Sequence, residues 1–140
     1  MLDLPAKIKA LFLAQTGIVS VVGASGVVHF ASTLPDDWLM TVPILTFDIA
    51  PGGEIDAESG MQLVLVNARC AAPTNITAWG LYNALRSAFV ESGQNGKGNF
   101  TSGSVRWEWI EVGPGEDGFE PETDARLVYC TVAITVNPNQ

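Results

Sequence analysis

His29 is the single imidazole in the chain. A Ser-His-Asp relay needs a nucleophile and an orienting carboxylate within its reach. Ser20, Ser25 and Asp48 are the residues on offer, but neither serine sits in an elbow motif. A strand histidine held by local contacts is therefore the expected reading. Cys70 and Cys130 are the two thiols, and both fall in strand-like apolar runs. They read as buried, reduced cysteines; a disulfide would require the two strands to be neighbours with the right geometry. The segment from Gly93 to Gly98 has the glycine content of a phosphate loop. It lacks the Lys-Ser/Thr ending, and it follows a helix instead of leading into one. Glu116, Asp117, Glu120, Glu122 and Asp124 offer the oxygens that a hard cation prefers, but their spacing fits no EF-hand. Charge runs in loops are usually solvated. Trp79, Trp107 and Trp109 read as core or interface anchors rather than as a sugar platform. The sequence thus sets up no catalytic residue, no cofactor site and no metal site.

The composition points away from chemistry as well. The chain has 140 residues, 47% of them hydrophobic and only 16% charged. Its mean hydropathy is +0.24. That length and apolar content supply one domain with a sizeable core. No apolar run reaches the ~18 residues of a membrane helix, so the surplus apolar surface is expected to meet other protein. The net charge of −8, from 15 acids against 7 bases, argues against a grip on nucleic acid, which needs clustered Lys and Arg. It is compatible with DNA passing nearby, since a channel through which DNA slides should repel phosphate. The N-terminal residues lack the order of a signal peptide, and the expected compartment is the cytosol.

These residues must be held by a modest set of elements. Asp3 caps a helix with Pro5 in its first turn; Leu4, Ile8, Leu11 and Phe12 form its apolar stripe, and Gly17 is expected to end it. Ile18 to Val22 reads as a helical turn or a short strand. Strands are expected over Val27–Ser32, Ile44–Ile49, Met61–Cys70, Val105–Val112 and Arg126–Val136. Thr74 caps the strongest helix, whose stripe includes Ile76, Trp79, Leu81, Tyr82, Leu85, Ala88 and Phe89. Three segments read as loops: the acidic stretch Pro51–Gly60, the Gly- and Asn-rich stretch Gln94–Ser102, and a second acidic stretch, Gly113–Asp124, expected to be a mobile arm. In Val105–Val112, simple alternation puts Trp107 and Trp109 on one face. Strands follow strands, so the expected fold is α+β: a mostly antiparallel sheet with two main helices packed on one face. The other face would then need a partner. The expected core holds Leu11, Phe12, Leu81, Leu85, Phe89, Val128, Val132 and Ile134.

The helix KIKALFLAQTGIVSVVG, a strand, a Leu-Pro segment, VPILTFDIA, then MQLVLVNARCAAPTNITAWGLYNALRSAF and a closing hydrophobic strand together resemble the tail completion or tail terminator family of long-tailed bacteriophages. Order and spacing carry the likeness across nearly the whole chain. The resemblance implies one domain over residues 1–140, the subunit of a hexameric ring that caps the tail tube and stops its growth. Its partners would be itself, the tail tube protein and a head-completion or connector protein. DNA would pass through the lumen without specific binding, and the site of action would be the tail or neck of the virion, assembled in the bacterial cytoplasm. No catalytic residue is implied.

The candidate interface residues are Trp38, Glu54, Asp56, Glu58, Glu116, Asp117, Glu120 and Glu122. Repeated around a ring, either acidic stretch would form a belt of negative charge. On a rim, such a belt would steer a basic partner face. Two other readings share parts of this pattern: another neck or tail component, such as a head-closure connector or tail-tube subunit, and a small enzyme or ligand-binding domain using His29 or the acidic stretch.

Overall fold

The computed structural model describes residues 3–29, 42–50, 60–121 and 124–137. Helix α1 (Leu4–Leu13) starts where expected: the Ala6 N–H donates to the Asp3 carboxylate at 3.3 Å, with Pro5 in the first turn. It ends before Gly17, which lies inside a second helix, α2 (Thr16–Val22). The two meet at 87°. That bend drives Ile8, Leu11 and Phe12 from α1 and Ile18 and Val22 from α2 into one core. Among the described residues, no single helix is long and apolar enough to cross a membrane.

The strands are β1 (Val27–His29), β2 (Ile44–Ile49), β3 (Gln62–Ala72), β4 (Gly96–Ser102), β5 (Val105–Val112), β6 (Glu116–Glu120) and β7 (Ala125–Asn137). Helix α3 (Asn75–Ala88) links β3 to β4, and the Thr77 N–H donates to its cap Thr74. The sheet runs β1-β2-β3-β7-β5-β4, and β6 also pairs with β7. Every ladder is antiparallel except β1 with β2. The fold is α+β, as the strand-next-to-strand order requires. All three described helices contribute to the core on one face of the sheet, and α3 packs on β3, β5 and β7. The eight expected core residues are all buried.

Strand β7 is the spine. One edge pairs with β3 along its length, from Gln62 opposite Val136 to Ala72 opposite Arg126. The other edge is shared end to end by β5, opposite its C-terminal half, and β6, opposite its N-terminal half. The stretch expected to be a mobile acidic arm is thus the second half of a long hairpin. Between the halves, Gly113 still donates to the Thr131 carbonyl at 2.8 Å. Pro114 and Gly115 then face only Cys130 before pairing resumes at Glu116 opposite Tyr129, so one residue is surplus and the strand bulges.

A second bulge corrects the tryptophans. Trp107 pairs with Val136 and Trp109 with Thr135, leaving Glu108 as the extra residue. Trp107 therefore joins the core while Trp109 turns to the opposite face, where strict alternation would not have put it. The Trp109 ring lies across β4: a Cβ on Gly96 would come within 2.3 Å of it. The Gly-rich stretch Gln94–Ser102, expected as a flexible loop, is largely β4, because its glycines make room for that ring.

Candidate docking surface on the helix-free sheet face

The register defines the face turned away from the helices as a series of cross-strand rows. Leu63, Thr135 and Trp109 form one; Leu65, Ala133 and Glu111 the next; Asp48, Asn67 and Thr131 a third; Thr46, Arg69, Tyr129 and Glu116 a fourth; Ile44, Ala71, Leu127 and Gly118 a fifth. The ends are apolar and the middle is polar. Leu65 is 40% exposed and Tyr129 39% exposed. Ile44, Ala71, Ala125 and Leu127 form a small buried cluster separate from the main core.

The polar middle is organised by an ion pair. Arg69 pairs with Asp48 across β2 and β3, with both side chains 13% exposed. Asn67 donates to the other Asp48 oxygen at 3.0 Å. Among the described residues, Thr46, fully buried next to Arg69 in this register, has no hydrogen-bond partner for its hydroxyl, and neither does the Arg69 Nη1. Two charged residues inside otherwise apolar strands were the available sequence signal for this pair, and sequence reasoning did not join them.

Over β7 and β6 the face opens into a cleft of about 600 Å³ lined by Asn67, Arg69, Glu116, Glu120, Tyr129 and Thr131. Glu116 and Glu120 both point to this face, Glu116 exposed and Glu120 half-buried. Between them the Tyr129 ring lies flat over Gly118, where any Cβ would sit 1.9 Å from the ring. Among the described residues, neither glutamate has an ion-pair partner. An aromatic face flanked by free carboxylates suits a cation brought by another molecule.

Asp117 points the other way and accepts from the Trp79 indole N–H at 2.6 Å, tying β6 to α3. Tyr82 stands edge-on to Trp79 at 5.4 Å and donates to the Gly113 carbonyl at 2.6 Å. A second cleft of about 460 Å³ opens on that side, between α3 and the β5–β6 junction, lined by Trp79, Arg86, Asn95, Glu111 and Gly115 among others. Of the candidate interface residues, then, Glu116 and Glu120 share the helix-free face and Asp117 lies behind them. Trp38, Glu54, Asp56, Glu58 and Glu122 lie outside the described residues.

The groups weighed for catalysis are dispersed. His29 is exposed at the end of β1, its ring 5.2 Å from that of Phe47. Asp48 is engaged by Arg69 and Asn67, and the Ser20 hydroxyl donates to the Gly17 carbonyl at 2.9 Å. Substituting His29→Gln should move stability by no more than about 0.5 kcal/mol, as for other surface changes. It should leave any assembly activity unaltered; a well-folded variant that fails to assemble would give His29 a functional role. Among the described residues, no three His, Cys, Asp or Glu side chains group as metal ligands would.

Cys70 and Cys130 are free and buried. They lie on neighbouring strands but on a diagonal: Cys70 faces Val128, and Cys130 faces Ala68. Burial pushes the Cys130 thiol up to about 12, and burial, with Cys130 nearby, pushes Cys70 well up. Burial likewise raises the Tyr82 hydroxyl. Folding therefore holds protons that the unfolded chain releases. The thiols' contribution to stability is complete below their ordinary value of 9.0 and is lost as the pH climbs toward the folded values. Native protein should resist iodoacetamide at about pH 8, because the thiolate is the nucleophile. Denaturant should expose both thiols, and finding neither free would overturn this.

Comparison with solved structures finds the same fold in a chain of the virion of a native gene transfer agent particle. The likeness has a TM-score of 0.60 at 14% identity and covers 96% of this chain and 93% of that one. No protein-family model matches the chain, and no curated protein matches it.

Proposed function

We propose that this chain is a structural protein of a phage-type virion, acting without catalysis as the subunit of a closed ring. The ring, of six copies, caps a tail tube, ends its growth and presents the surface on which the head is joined. The observation that carries this reading is the shared fold with a chain of a gene transfer agent virion over nearly the full length of both. The helix-free sheet face, with Leu65 and Tyr129 exposed on it, supports assembly, because a sheet covered on one side offers its other side to a partner. The whole chain acts as one such domain. Its partners are further copies of itself, the tail tube protein and a head-completion or connector protein, and its acidity suits a lumen through which DNA slides unbound.

Electron microscopy of the pure protein, alone and added to assembling tail tubes, tests this. Rings with a central hole, and tubes that stop at the length where the protein was added, are expected. Stacked rings that extend the tube would instead identify a tube subunit. A monomer that never associates with tubes would overturn the proposal.

A further inference from the structure

Strand β6 borders half of a sheet position in which no described strand lies. Beside β5, the next position outward is filled by β4, whose pairing begins at Gly96 opposite Glu111. Beside β6 the same position holds no described strand, so among the described residues the five-residue edge Glu116–Glu120 is paired on one side only. A cleft lies on each side of β6. The cleft with Glu116, Tyr129 and Glu120 lies on the helix-free side, and the recess with Trp79, Arg86 and Asn95 lies on the helix side. Phe119, 43% exposed, sits on the edge, with the Arg126 guanidinium 4.7 Å from its ring centre.

We infer that this edge accepts, by strand addition, an extended segment of another protein carrying Lys or Arg at two positions four residues apart. Unpaired backbone groups along an edge strand are a template for a further strand. The charges choose which strand. Residues opposite Glu116 and Glu120 project onto the helix-free face beside those carboxylates, so basic side chains there gain two cross-strand pairs. The residue opposite Gly118 meets the Tyr129 ring, and residues opposite Asp117 and Phe119 enter the recess beside Trp79, where small β-branched side chains fit.

A second copy of this edge is disfavoured by the same register. Antiparallel self-pairing centred on Gly118 sets Glu116 against Glu120 twice, and like charges directly opposed are destabilising. The edge thus rejects itself and selects a basic partner. The inference rests on the docking role proposed above only in taking β6 as a contact surface, and holds whether or not the chain closes into rings.

The test uses the full chain and a synthetic peptide with lysines at i and i+4 separated by Thr-Val-Thr. Hydrogen exchange at the Glu116–Glu120 amides should slow on adding peptide. Combining Glu116→Gln with Glu120→Gln should weaken binding about tenfold at low salt, as loss of two complementary charges would. Glu116 is exposed, Glu120 is half-buried, and neither has an ion-pair partner among the described residues, so exchange elsewhere in the sheet should stay unchanged in that variant. The same peptide N-methylated on the residues facing β6 should not bind. Equal binding of the methylated peptide would reduce the contact to side-chain attraction and overturn strand addition. Peptide binding without protection of Glu116–Glu120 would overturn it too. So would protection that appears without peptide and grows with protein concentration, since the occupant would then be a second copy. Failure to form rings would leave these outcomes unaltered, so the two proposals fail separately.

Discussion

Leu85→Ala should lower the free energy of unfolding by about 2–5 kcal/mol. Leu85 is fully buried on α3, the helix that packs against β3, β5 and β7. It belongs to one continuous core with Leu81, Phe89, Val128 and Val132. Truncation removes three heavy atoms from that layer and leaves a hole that neighbours on a sheet and a helix cannot close without moving their own elements. The loss therefore includes a cavity component as well as the transfer component. Urea melts read it directly, as a lower midpoint at unchanged slope. A loss below ~1 kcal/mol would mean that α3 presents another face to the sheet.

Asp48→Ala should cost about 3 kcal/mol, although it removes a single carboxylate from the surface of a sheet. The carboxylate is 13% exposed and answers Arg69, itself 13% exposed. With Asp48 gone, the guanidinium stays enclosed without its counter-charge, and breaking one side of a buried pair is the costly case. Among the described residues the Arg69 Nη1 already lacks a hydrogen bond, so they offer this arginine little else to turn to. Combining Asp48→Val with Arg69→Met should recover most of the loss, because two apolar side chains need no solvation. Thermal or urea melts of the single and double variants form the check. A single variant as stable as the parent would show that water reaches the guanidinium freely.

The parts of the fold legible in the sequence are those where apolar spacing has only one solution. Ile44–Ile49 and Val105–Val112 have the expected limits, and Thr74 caps the strongest helix. Two of the misreadings share a physical cause. Glycines and acids are poor strand formers by themselves, so β4 and β6 were hidden by their own composition. What makes them strands is tertiary: Trp109 lies over Gly96, and the Trp79 indole holds Asp117. The inversion of Trp109 depends on one extra residue at Glu108, and alternation counted from sequence cannot detect a bulge. The acids of Gly113–Asp124 were legible as a surface. That Glu116 and Glu120 separate from Asp117, with Tyr129 between them, required the register.

The position of β7 also bears on how the chain is made. It lies between β3 on one side and β5 with β6 on the other, and it is translated after all three. As the polypeptide leaves the ribosome, β2, β3 and the described helices emerge while β7, which completes the sheet beneath α3, does not yet exist. Pairing of β5 and β6 with β7 closes a short loop, whereas joining β3 to β7 brings together segments nearly half the chain apart. The local hairpin is therefore the step with the smaller entropic cost, and capture of β3 comes after it. Until that capture, one edge of β3 is unpaired and the part of α3 that rests on β7 is uncovered, so a nascent chain stalled before Ala125 is a substrate for chaperones or proteases and cannot act as a smaller working subunit.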